Sequence, residues 1–142
     1  MKGCGSKVVV PLHPRTRNAL EDAGILDDYK DMLIEPVGYL DMLMLESNAK
    51  KILTDSGGVQ KEAYFLGVPC ITMRDTTEWV ELVECGWNIL VAADKEKIIS
   101  AVKTFSPSGE REEFYGKGDA PEQITHVLKN DFLKTEQKTL NQ

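Results

Sequence analysis

The stretch KILTDSGGVQKEAYFLGVP, Lys51 to Pro69, carries the run Asp55-Ser56-Gly57-Gly58. Two chemistries use such residues. A serine in this setting is the nucleophile of trypsin-like proteases. At the tip of a parallel strand, the same small residues open a helix and cradle a phosphate. The protease chemistry needs a general base and an antiparallel barrel. His13 and His126 are the only histidines, and the alternation of strand and helix around the run contradicts a barrel. The phosphate reading needs the free N–H groups and positive dipole end of a helix mouth. Gly57 and Gly58 remove the Cβ atoms that would hold an oxygen away from the backbone, and Ser56 adds a hydroxyl donor. From the motif alone, a tight strand-to-helix turn with Ser56 or Asp55 as N-cap and no ligand stays open.

Glu62 follows Ser56 by between one and two helical turns. A carboxylate there would repel a phosphate, but it can accept hydrogen bonds from two vicinal hydroxyls, as acidic residues do with nucleotide ribose. A solvated helix glutamate beside Lys61 is the alternative. A phosphate cradle followed by a diol acceptor points to a nucleotide.

The elements that must hold these groups alternate along the chain. The strand-like segments are Lys7–His13, DMLIEP, KILTD, VPCITM and WNILVAA. Between them lie helix-like segments. RTRNALEDAG can close at Gly24, and YLDMLMLESNA places Leu40, Leu43 and Met44 on one face. GVQKEAYFLG has Val59, Ala63 and Leu66 in register, with Gly67 as the stop. DTTEWVELVECG sets Asp75 and Glu78 in a capping-box relation, and Gly86 ends it. Asp94 is the expected N-cap of KEKIISAVKTF, whose stripe is Ile98, Val102 and Phe105. This order predicts an α/β fold, a Rossmann-like doubly wound parallel sheet of about five or six strands. Residues 1–105 form that domain, Ser-, Gly- and Pro-rich residues 106–120 a linker, and 121–142 a final amphipathic helix with a polar tail.

Composition narrows the partners. The chain has 142 residues, 42% hydrophobic and 28% charged, within the range of one soluble globular domain. A formal net charge of −6 argues against nucleic acid or an anionic membrane, so a phosphate must be captured by local geometry. The start MKGCGSK has no apolar h-region, and a cytoplasmic setting is expected. Cys4, Cys70 and Cys85 are scattered without metal spacing; reduced thiols are expected, the last two as small core residues. No metal or cofactor is expected. Met32, Met42 and Met44 read as core or interface residues, and Glu78, Glu81 and Glu84 as a solvated acidic stripe.

The run from Glu35 to Val91 resembles the C-terminal half of the non-hydrolysing UDP-N-acetylglucosamine 2-epimerase family, with LTDSGGVQKEA and MRDTTE as a specific pair. The likeness extends from VVVPLHP to FYGKGDAPEQI. That family is similar to glycosyltransferases of the B-type fold, in which two Rossmann-like domains face a cleft and the C-terminal one holds the nucleotide. The resemblance implies that Ser56, Gly57 and Gly58 bind the diphosphate and Glu62 the ribose hydroxyls. It also implies that uracil rests near Val37 and Met42, through backbone groups. His13, Arg74 and Trp79 are further candidates: His13 and Arg74 end strands at the same rim, with capping and pairing to Glu78 or Asp75 as their structural alternatives. Many relatives carry TTERPE where this chain has TTEWVE, so Trp79 replaces a cationic fork. The version here resembles the branch acting on UDP-2,3-diacetamido-2,3-dideoxyglucuronate.

The family's reaction inverts the carbon beside the anomeric centre, by loss of UDP to a glycal and re-addition. The residues credited with its proton transfers belong to the N-terminal domain, so no catalytic residue is expected in this chain and no activity from it alone. The expected function is the UDP-binding half of an epimerase interconverting UDP-GlcNAc and UDP-ManNAc for polysaccharide precursors. The alternatives are the diacetamido-glucuronate epimerase, a UDP-sugar glycosyltransferase domain, or a nucleotide-binding module without catalysis. The expected partners are a UDP-sugar, the missing N-terminal domain or its equivalent, and a second copy through Ile124, Val127 and Leu128.

Overall fold

Three strands form the centre of the computed structural model, which describes residues 7–140, with side chains through residue 130. The order begins β1 (Val10–Pro11), α1 (Pro14–Asp22), a 3₁₀ turn (Leu26–Tyr29), β2 (Leu33–Ile34) and α2 (Tyr39–Ser47). It continues β3 (Ile52–Thr54), α3 (Gly57–Leu66), β4 (Cys70–Thr72), α4 (Val80–Glu84), β5 (Asn88–Leu90), α5 (Lys95–Thr104) and α6 (Ala120–Leu140). All pairing is parallel. β3, β4 and β5 align Ile52 with Cys70 and Asn88, Leu53 with Ile71 and Ile89, and Thr54 with Thr72 and Leu90. β1 pairs with β2 in a separate ladder. The five expected strands are therefore present, shorter than their apolar runs, and their hydrogen bonds divide into two sheets.

The two-residue side-chain period of the strands sorts the core. Ile52 and Cys70 pack with Ala63, Val68, Val59 and Leu66 on the α3 side. Leu53, Ile71 and Ile89 face the other way and meet Ile98, Ala101 and Val102 of α5 and Phe105 at its C-cap. Both expected helical stripes thus reach the core, from opposite faces of the sheet. α3 stops at Gly67, whose φ of 71° lies in the left-handed region. There the Val68 N–H returns to the Ala63 carbonyl at 2.9 Å. Asp94 caps α5 by accepting from the N–H groups of Glu96 and Lys97 at 2.9 and 3.0 Å, and those bonds hold its carboxyl below the usual range. Cys70 is buried and Cys85 half-buried, while Cys4 lies outside the described residues.

Two helices depart from expectation. Leu40 and Met44, expected on the packed face of α2, are 75% and 64% exposed. The position of α2 that is buried belongs to Glu46, because α2 docks on α3 through its other side. The expected helix through DTTEWVELVECG begins only at Val80. Asp75 and Glu78 therefore form no capping box, and Glu78 is not part of an acidic helical stripe.

The described residues divide into two compact units between Arg111 and Glu112. Residues 106–111 are tied to the first: Trp87 donates its indole N–H to the Gly109 carbonyl at 3.1 Å, and Arg111 donates to the carbonyls of Tyr64 and Phe65 at 2.9 and 2.7 Å. In the second, α6 leaves Ile124, Val127 and Leu128 exposed. Among the described residues, no helix is long and apolar enough to cross a membrane. Ile71 is fully enclosed between α5 and its strand neighbours. Ile71→Ala should cost about 2–5 kcal/mol in urea unfolding, the range for emptying a buried aliphatic site; a smaller loss would mean that α5 closes over the gap.

Candidate functional site

β3 ends at Thr54, and its hydroxyl accepts the Ser56 N–H at 3.0 Å, turning the chain from strand to helix across Asp55. Ser56 takes the N-cap position with extended backbone, and its hydroxyl makes no cap bond. The first return bond runs from the Gln60 N–H to the Ser56 carbonyl at 3.3 Å. The earlier N–H groups of α3 therefore have no intrahelical acceptor. Asp55, Ser56 and Gly58 are exposed, so this mouth opens to solvent.

Gly57 serves another purpose. A Cβ there would lie 2.1 Å from Glu78 Oε1 and 3.4 Å from Trp79 Nε1. The Trp79 indole N–H donates to the Gly57 carbonyl at 3.0 Å. Arg74 pairs with Glu78 at 3.0 Å, and the Lys61 ammonium lies 4.4 Å over the Trp79 ring. Segment 74–79 thus builds one flank of the mouth. A carboxylate there is favoured by the helix dipole and partnered by a guanidinium.

That flank is held from below by a buried polar chain. The Trp79 backbone N–H donates to Thr77 Oγ1 at 3.1 Å, and the Thr77 hydroxyl donates to Gln60 Oε1 at 2.7 Å. The Asn88 amide donates to the same oxygen at 3.0 Å, while Asn88 Oδ1 accepts from the Thr72 hydroxyl at 2.8 Å. These bonds keep residues 75–79 out of the helix. Ala92, with φ 55°, joins the strand tips by donating its N–H to the Arg74 carbonyl at 3.2 Å. None of Gln60, Thr77, Thr72 or Asn88 was singled out by sequence. The available signal was a polar residue recurring on strand and helix positions that otherwise bury apolar groups.

The remaining candidates are distributed differently. Glu62 is half-exposed on α3 and makes no hydrogen bond or ion pair among the described residues. Met42 lies on α2, which packs on α3, and Val37 precedes the Gly38 N-cap of α2; both are half-buried. His13 caps α1, its Nδ1 accepting the Arg15 N–H at 3.2 Å. The structure therefore brings Ser56, Gly57, Gly58, Arg74 and Trp79 together at one helix mouth, sets Glu62 further along the same helix, and engages His13 locally.

Glu46 is the residue that the sequence reading passed over altogether. It is 3% exposed, and neither carboxyl oxygen has a hydrogen-bond partner among the described residues. Burial, reinforced by the Glu62 charge, pushes its carboxyl up to about 7. The folded value lies above the ordinary one, so the stability tied to this group is complete below about 4.5 and is lost as pH rises through about 7. The urea midpoint should fall across that window, and Glu46→Gln should remove the fall. An equal dependence in the variant would assign it to other groups.

The chain matches the family model described as UDP-N-acetylglucosamine 2-epimerase over residues 3–129. It is 54% identical over 129 residues to a UDP-N-acetylglucosamine 2-epimerase homolog of Methanococcus maripaludis, covering 87% of this chain and 36% of that protein. It is 48% identical over 126 residues to the UDP-2,3-diacetamido-2,3-dideoxy-D-glucuronate 2-epimerase of Pseudomonas aeruginosa, covering 85% of this chain and 34% of that one. The crystal structure of Methanocaldococcus jannaschii UDP-GlcNAc 2-epimerase in complex with UDP-GlcNAc and UDP superposes with a TM-score of 0.79 at 46% identity, over 88% of this chain and 36% of that chain. The chain thus spans about a third of the length of these relatives. With the family model matched over nearly its whole length, the chain belongs to the UDP-N-acetylglucosamine 2-epimerase family.

Proposed function

We propose that this chain is the nucleotide-holding half of a UDP-sugar 2-epimerase. The observation that carries the reading is the open mouth of α3, where Ser56 and Gly58 are exposed and the first amides lack intrahelical acceptors. The diphosphate sits on the amides of Gly57 and Gly58 and the Ser56 hydroxyl. Glu62 accepts from the two ribose hydroxyls, and uracil lies toward Val37 and Met42. Departure of UDP from the sugar builds negative charge on the terminal phosphate. Fixed amide dipoles and a hydroxyl aimed at that charge stabilise it without reorganising at the moment of reaction. In this reading the proton transfers at the sugar need groups supplied by another domain, and UDP-GlcNAc and UDP-ManNAc are the pair interconverted, in cytoplasmic synthesis of polysaccharide precursors. A second copy of the chain, met through Ile124, Val127 and Leu128, is part of the proposal.

Trp79 favours a second substrate within the same chemistry. It flanks the mouth with an indole that already donates to Gly57, beside an Arg74 already paired with Glu78. A sugar carrying its own carboxylate and acetamido groups meets different demands there than N-acetylglucosamine, and the Pseudomonas aeruginosa relative is described by such a substrate. Competition between UDP-GlcNAc and UDP-2,3-diacetamido-2,3-dideoxyglucuronate for the chain separates the two.

Calorimetric titration tests the shared reading. UDP should bind more tightly than UMP, and UMP more tightly than uridine. Ser56→Ala should weaken UDP by about 1–2 kcal/mol, the loss of one charge-assisted hydrogen bond, and leave uridine unchanged. Glu62→Gln should narrow the preference for ribose over 2′-deoxyribose. UDP binding no tighter than uridine would remove the phosphate cradle from the proposal. The purified chain should turn over no UDP-GlcNAc in an epimerisation assay, and measurable turnover would show that proton-transferring groups reside in these residues.

A further inference from the structure

Beside the groups proposed for the nucleotide stands a cation that takes no part in holding it. Lys61 is half-buried, and its ammonium lies 4.4 Å from the centre of the Trp79 ring. The indole is fixed in turn: its N–H donates to the Gly57 carbonyl at 3.0 Å, and the Trp79 backbone N–H donates to Thr77 Oγ1 at 3.1 Å. A positive charge is thus seated on a ring that is bonded to the first residue of α3. An ammonium carries three N–H donors, and an aromatic face attracts the charge without accepting all of them.

The pitch of α3 decides which end of a ligand passes Lys61. At about 3.6 residues per turn, Gly58 projects between Lys61 and Glu62, which stand three and four residues beyond it. Lys61 lies on the Gly57 side of that line and Glu62 on the other. Gly58 is exposed, and a Cβ there would stand 3.8 Å from Ser56 Oγ, in ordinary contact. With the ribose on Glu62 and the diphosphate over Gly58, whatever follows the second phosphate leaves on the Gly57 side, toward Trp79 and Lys61. Arg74, the other cation of that flank, is paired with Glu78 at 3.0 Å. A neutral hexose offers the Lys61 ammonium only hydroxyls. A hexuronate offers it a carboxylate, and hydrogen bonds between two charged groups are the stronger kind.

Resting on the nucleotide reading above and on its second substrate, we propose that Lys61 is the specificity-determining residue for the sugar: held over the Trp79 indole, it takes the carboxylate of a UDP-linked hexuronate. Trp79 is its positioning residue. The indole cannot supply a cation itself, but its ring fixes where one stands. A long side chain that is already seated loses less rotamer freedom when the ligand arrives.

UDP-glucuronate and UDP-glucose make the test, because they differ only by a carboxylate on the sugar. In calorimetric titration of the chain, UDP-glucuronate should bind about 5-fold more tightly than UDP-glucose, the upper range for a solvent-exposed ion pair. Lys61→Met keeps an aliphatic stem against the indole and should abolish that preference, whereas Lys61→Arg should retain it. Trp79→Leu keeps the ammonium but removes its seat, and should lower the preference at least about 2-fold. A merely structural role for either residue would weaken both ligands together and leave their ratio unmoved. Equal affinities in the unaltered chain, a preference that survives Lys61→Met, or one that is lost in Lys61→Arg overturns the inference, and UDP binding then leaves the nucleotide reading standing. A preference undiminished in a folded Trp79→Leu overturns it as well; if that variant does not fold, the lysine variants decide. Failure of the chain to bind UDP overturns both.

Discussion

A single carbonyl oxygen organises the candidate site. Gln60 is fully buried, and its Oε1 accepts from Thr77 on the 74–79 segment and from Asn88 on β5. It stands in the first turn of α3, so these bonds fix the helix mouth to the strand tips and to the flank that brings Glu78 and Trp79 against Gly57. In a low-dielectric interior such bonds are strong, and a partner left unpaired costs about 1–3 kcal/mol. The chain of donors from Trp79 through Thr77 to Gln60, and from Gln60 through Asn88 to Thr72, therefore specifies one arrangement of three elements.

Electrostatics at the mouth work against the charge of the whole molecule. A net charge of −6 repels an anionic ligand at long range. The groups at the mouth that could meet an anion within hydrogen-bond distance are the exposed amides of α3 and the uncommitted Ser56 hydroxyl, while Arg74 is paired with Glu78. Glu78 already occupies the favourable end of the helix dipole on the Gly57 side, so the open approach is from Ser56 and Gly58. In the proposed reading, capture depends on shape and on directed donors.

The strand and helix stripes were legible because burial on a sheet face has a period that survives in one sequence. Val59, Ala63 and Leu66, and likewise Ile98, Val102 and Phe105, could be read as core before any fold was known. The segment DTTEWVELVECG was misread because its spacing satisfies a capping rule, whereas Thr77 and Trp79 have partners far away in the chain, at Gln60 and Gly57. Local rules are silent about such bonds. The face of α2 was misread for a related reason: apolar period identifies a stripe, but not whether a neighbour covers it.

The sequence by itself determined the α/β alternation, the serine and glycines at a strand-to-helix turn, and Glu62 at a helical distance beyond them. These follow from spacings of a few residues, and hydrogen-bond geometry and helical pitch act over that range. Only the tertiary structure decided that Gly57 is needed for the approach of Glu78 and Trp79, that Gln60 holds two elements at once, and that Glu46 is enclosed with no hydrogen-bond partner among the described residues. Each of these depends on groups brought together across the fold, where enclosure from water makes a donor, an acceptor or a charge count for far more than its place in the chain reveals.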